Sequence, residues 1–228
     1  MTPGKLPALP LDEILARLNA LADPRNVAGQ RRFGIRAAHA LGISMPQVRA
    51  LARGRQRSHE LALGLWASGI HEARILASLV DEPRMLTRGQ MEAWALDFDS
   101  WDLCDQVCLN LFGLHDLGLE MALAWPHRGE EYVRRAGFVL MAVQAVHRRE
   151  LPDGAFEPYF DLMLQYAIDE RNFVRKAVNW ALRQAGKRSP RLHERAIATT
   201  YRMLAIDSGS ARWIARDALR ELEKHSNG

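Results

Sequence analysis

The chain has 228 residues, 48% of them hydrophobic and 25% charged, which is enough to bury a sizeable core and too apolar for global disorder. The net charge is only +4, but it is segregated: residues 1–59 carry 10 basic against 3 acidic side chains (+7), 60–127 carry 3 against 11 (−8), and 128–228 carry 18 against 13 (+5). Basic flanks around an acidic middle suggest a polyanion-binding surface with something other than plain phosphate binding at its centre. Of the 31 basic residues 27 are Arg, which suits bidentate phosphate contacts, although a GC-rich coding sequence produces the same bias. There is no run of ~18 apolar residues and no signal-peptide pattern, so no membrane partner is expected. Cys104 and Cys108 sit four apart on one helical face, a poor disulfide geometry, which points to a reducing cytoplasm.

In chain order, the Pro-rich start MTPGKLPALP reads as a loose arm over 1–10, followed by a single domain over 11–225. Nearly every later segment has helical period and none shows sustained strand alternation. The predicted helices are 11–22, 24–38, 46–57, 59–68, 71–80, 87–97, 100–111, 114–125, 130–148, 156–169, 171–187, 190–206 and 210–224. Breaks at Asp23-Pro24, Gly42, Met45-Pro46, Gly69, Glu82-Pro83, Gly113, Trp125-Pro126, Ser189-Pro190 and Ser208-Gly209 support these boundaries. Short connections imply antiparallel neighbours. The segments YVRRAGFVLM (132–141), FVRKAVNWAL (173–182) and IARDALRELE (214–223) repeat at an offset of 41, keeping Arg134, Arg175 and Arg216 in register. That period belongs to helical-pair solenoids of the HEAT type, whose stacks present a concave inner face. The fold class is therefore all-α, a superhelix of stacked HEAT-like antiparallel pairs.

Several residues fall outside the core pattern. In helix 171–187, Val174, Ala177, Val178, Ala181, Leu182 and Ala185 form one apolar stripe, while Trp180 lies opposite with Lys176, Arg183 and Lys187. It is either a stacking platform within a phosphate-binding stripe or an indole covered by a neighbouring helix. In helix 100–111, Leu103, Cys104, Val107 and Leu111 face inward, and Trp101 and Asp105 project from the far side as an i,i+4 pair. Asp99, Ser100 and Asp102 have a structural role at the helix start, as caps or through the macrodipole. Asp105 is too far along for that; it is a functional carboxylate, a solvated one, or half of a salt bridge. Arg135 lies on a helix apolar almost all round, so it needs an anionic partner or a water-filled groove. No metal-ligand spacing, phosphate loop, dinucleotide glycine pattern or serine-nucleophile motif occurs, so neither metal nor cofactor is expected.

Four segments, ALGISMPQVRALAR (40–53), SWDLCD (100–105), VRRAGF (133–138) and FVRKAVNWALR (173–183), resemble the AlkD-like DNA alkylation repair glycosylases, in that family's order and across roughly residues 25–220. The resemblance implies a helical stack that cradles duplex DNA and hydrolyses the N-glycosidic bond of cationic N3- and N7-alkylated purines without metal. It further implies that Trp101 and Trp180 flank the lesion's deoxyribose, that Asp105 is the catalytic carboxylate, and that Arg135 contacts the DNA backbone nearby. Ser100 stands where the family can carry a further aromatic. The expected partner is duplex DNA containing alkylated bases, bound by a monomer. The alternative is a non-catalytic HEAT-like DNA-binding or protein-interaction module.

Overall fold

The computed structural model describes residues 6–226, with side chains to residue 224. The described residues cluster into two compact units, divided between His115 and Asp116. The first unit holds α1 (Leu11–Ala20), α2 (Pro24–Arg32), α3 (Met45–Ala52), α4 (His59–Ala67), α5 (His71–Val80), α6 (Arg88–Leu96) and α7 (Trp101–Asn110). The second holds α8 (Leu117–Ala124), α9 (Glu131–His147), α10 (Glu157–Gln165), α11 (Asn172–Gly186), α12 (Pro190–Leu204) and α13 (Gly209–Ser226). Among the described residues there is no strand beyond an isolated bridge between Leu6 and Arg55. No described helix is long and apolar enough to cross a membrane.

Helix starts follow the expected chemistry. The Asp23 carboxylate accepts from Arg25 N–H with Pro24 at the first helical position, and the Ser58, Thr87 and Ser189 hydroxyls accept from the third residue beyond each. Two helices end earlier than predicted, because Gly34 (φ +84°) and Gly54 (φ +74°) take left-handed conformations just beyond α2 and α3. Of the arm predicted to be loose, residues 1–5 lie outside the described residues. The part that follows is tied to the turn after α3: Leu6 N–H donates to Gly54 O (2.9 Å) and Gln56 N–H to Leu6 O (2.8 Å).

In the first unit α5 is the central element, packed against α3, α4 and α7. Its Glu72, 1% exposed, accepts backbone N–H bonds from Leu41 (2.8 Å), Gly42 (2.7 Å) and Ile43 (3.1 Å). Gly42 (φ +78°) is required there, since a Cβ would meet Asp23 O at 2.2 Å. Trp66 stacks on Trp94 at 3.9 Å, joining α4 to α6, and Phe98 and Phe112 extend the cluster.

In the second unit α9, α11 and α13 lie side by side in one direction, with α8, α10 and α12 as the other members of the pairs. At their starts Arg135 Nη1 donates to Phe173 O (2.5 Å); near their ends Arg188 donates to Ala145 O (2.9 Å). Asn179 Nδ2 likewise reaches Ile214 O on α13 (3.2 Å). These links join residues 35 to 43 apart, the spacing that the 41-residue repeat implies. Helix α9 is buried nearly all round, from Val133 to Ala145.

Candidate functional site

The first unit carries the carboxylate. Helix α7 buries Leu103, Cys104 and Val107 at 0% exposure, with Leu111 beyond its end, so its orientation is set by that stripe. Trp101 and Asp105 are consequently held one turn apart on the other side, both half-buried. The Trp101 indole donates to Phe33 O (2.9 Å), which fixes the ring against the turn after α2. Cys104 and Cys108 are buried thiols not joined to each other.

Two features beside this pair are not apparent from α7 alone. Phe33 is 75% exposed and lies between the exposed Arg31, Arg32 and Arg36, an aromatic in a basic patch next to Trp101. The signal is present in RRFGIR, but a helix predicted to run through 38 hides it. The second is His71, whose Nε2 lies 2.9 Å from Asp102 Oδ2. Burial opposes charge on both groups, but their mutual hydrogen bond and attraction outweigh it, so His71 titrates above its ordinary value and Asp102 below. The pair anchors the first turn of α7 to the first turn of α5, and with it the neighbouring Trp101.

The second unit carries the remaining residues. Val174, Ala177, Val178, Ala181, Leu182 and Ala185 are all at most 1% exposed, and Trp180 lies off that stripe, half-buried. Lys176 is exposed. Arg183 and Lys187 both bind Glu221 of α13, and these two bonds outweigh burial to hold the Glu221 carboxyl below its ordinary range. The cationic stripe is thus partly neutralised from a neighbouring helix. Arg135 is 6% exposed on α9, with its guanidinium on the Phe173 carbonyl. The adjacent Arg134 points elsewhere, to Asp169 (2.6 Å) and over the Tyr166 ring (4.7 Å). Of the expected residues, Trp101 and Asp105 share α7, and Trp180, Lys176 and Arg183 share α11, with Lys187 capping its end and Arg135 beside them on α9. The described residues contain no group of three or more His, Cys, Asp or Glu able to hold a metal ion.

Stacked helical pairs of this kind define the HEAT-like all-α class, and comparison with known proteins narrows it. Residues 14–222 match the model of the DNA alkylation repair enzyme family, and the chain belongs to that family. It is 23% identical over 226 residues to the uncharacterized protein Lmo0209 of Listeria monocytogenes, covering 95% of this chain and 97% of that one. Identity to the uncharacterized protein Lin0241 of Listeria innocua is 24%, with the same coverage. A solved structure described as a new family of proteins related to the HEAT-like repeat DNA glycosylases, with affinity for branched DNA structures, superposes with a TM-score of 0.79. It shares 15% identity and covers 95% of both chains, so it establishes the shared fold.

Proposed function

We propose that this protein is a DNA glycosylase that removes cationic N3- and N7-alkylated purines from duplex DNA, within the cytosol and as a monomer. The observation that carries the reading is the Trp101–Asp105 pair, held off the buried stripe of α7 in a member of a DNA alkylation repair family. A cationic alkylpurine is already a good leaving group, so the catalyst mainly stabilises positive charge developing on the sugar as the glycosidic bond lengthens. In this proposal Asp105 supplies the opposite charge and orients the attacking water, while Trp101, one turn away on α7, lines the sugar and excludes bulk solvent; on the second unit Trp180 offers a further indole to the DNA. Arg135 contacts the backbone near the lesion. Lys176, Arg183 and Lys187 add positive potential along the strand, and Phe33 with Arg31, Arg32 and Arg36 extends the interface on the first unit. No metal or cofactor is needed for such chemistry.

A second reading, a DNA-binding module without catalysis, is favoured by the branched-DNA affinity of the structurally similar protein. Incubation with methylated duplex in the presence of chelator separates the two. Free 7-methylguanine or 3-methyladenine supports the glycosylase; salt-sensitive binding with no released base supports the module.

A further inference from the structure

The proposed chemistry leaves the outer face of α13 unused. This helix buries Ala211, Ile214, Ala215, Ala218 and Leu222 at 0% exposure, which accounts for its packing. Trp213 lies off that stripe and is 37% exposed. The Arg175 guanidinium, from α11, sits 5.0 Å from its ring centroid and fixes the indole plane. A hollow of about 550 Å³ elsewhere in the unit, beside Arg188, is bounded by a guanidinium already committed to backbone carbonyls. The hollow at Trp213 differs, because aromatic and cationic groups line it together.

That hollow measures about 350 Å³ and is bounded by Gly209, Arg212, Trp213, Arg216, Asp217 and Arg220. A second, of about 500 Å³, shares Arg216 and Arg220 and continues to Leu219, Glu223 and Lys224. The two form one track along the helix, with Trp213, Arg216, Arg220 and Lys224 recurring every three or four residues on a single face. Successive cations are spaced ~6 Å along the axis, of the order of one nucleotide step in an extended strand. Asp207 holds Arg212 (3.0 Å) and Asp217 holds Arg220, whereas Arg216 is exposed and has no ion pair among the described residues.

We propose that this face of α13 binds an unpaired DNA strand, with one base stacked on Trp213 and neighbouring phosphates on Arg212, Arg216 and Arg220. Flat aromatic surface interleaved with cations suits single strands of any sequence. Paired DNA cannot use the indole, because its base faces are already stacked within the duplex. An acidic peptide would use the arginines and leave the indole idle. The inference rests on the DNA-binding reading above but not on catalysis.

The test compares binding of a labelled blunt duplex with that of the same duplex carrying an unpaired thymidine arm. The arm is expected to tighten binding by the wild-type protein. Trp213→Ala should remove about tenfold of that gain and leave the blunt duplex unaffected, while Trp213→Phe keeps most of it. Arg216→Glu should weaken the arm contact and flatten its salt dependence. If Trp213→Ala lowers the melting temperature, Trp213→Phe and Arg216→Glu, both with little packing to lose, decide the matter. Equal binding of the two DNAs by wild type, or an arm preference that survives Trp213→Ala, overturns the proposal while leaving duplex binding intact. Displacement of the arm by polyglutamate as readily as by single-stranded DNA also overturns it. Failure to bind either DNA removes the DNA-binding reading itself.

Discussion

Replacing Glu72 with alanine removes the acceptor for three backbone N–H groups at once, those of Leu41, Gly42 and Ile43. A hydrogen bond to a charged group contributes about 1.5–3 kcal/mol, so three give a gross loss of roughly 5–9 kcal/mol. Removing the buried carboxylate also relieves its desolvation, and water reaches the half-buried Leu41 amide, which brings the net loss to about 3–5 kcal/mol. For a chain of this length that is a fall in melting temperature of roughly 8–15 °C. Glu72→Gln should fall between, since its amide oxygen still accepts but its NH₂ faces backbone donors. The exposed Glu60 provides a control, with Glu60→Ala expected to change stability by less than about 0.5 kcal/mol. Thermal denaturation by circular dichroism, with urea midpoints at constant slope, measures all three. A loss below about 1 kcal/mol for Glu72→Ala would show that the loop holds itself and that the buried carboxylate contributes nothing net.

Three further outcomes follow from other contacts. The raised pKa of His71 and the lowered pKa of Asp102 mean that their pair stabilises most between about pH 4 and 6.5. Its contribution should decline as pH rises through the His71 value or falls through that of Asp102. The melting difference between wild type and His71→Gln should therefore be largest near pH 5–6 and shrink above 7; a difference constant with pH would refute the ion pair. Glu221→Gln releases Arg183 and Lys187 from their shared carboxylate, so duplex affinity should rise at low salt and the logarithmic salt slope steepen by about 0.9; an unchanged slope would place those cations outside the interface. Arg32→Ala should weaken duplex binding and reduce the logarithmic salt slope by about 0.9 while leaving the melting temperature within a few degrees, because the side chain is exposed and supports no core.

Residues whose role depends on local period are legible in the sequence alone. The stripe of α11 from Val174 to Ala185 is buried as its spacing requires, and α7 turns Leu103, Cys104 and Val107 inward, leaving Trp101 and Asp105 on the other side. The offset of 41 read from three Arg- and Ala-rich segments corresponds to the parallel row of α9, α11 and α13. What escaped the sequence depends on backbone conformation or on distant partners. A period count does not register that Gly34 and Gly54 turn left-handed, so α2 and α3 end earlier than their spacing predicts and Phe33 lies beyond the end of α2. Nothing near Arg183 or Lys187 indicates that Glu221, more than thirty residues away, neutralises them. The capture of loop 41–43 by Glu72 is long-range in the same way.

The proposed role of Asp105 in stabilising the developing sugar cation is tested most directly by release of methylated base from Asp105→Asn. The substitution preserves shape and removes charge, on a helix whose inward stripe it does not touch. Wild type should free methylpurine from duplex DNA, and Asp105→Asn should bind that DNA with unchanged affinity but release base about 10²–10³-fold more slowly, the scale of one preorganised electrostatic contact. Equal rates of base release by the two proteins would contradict the assignment of Asp105.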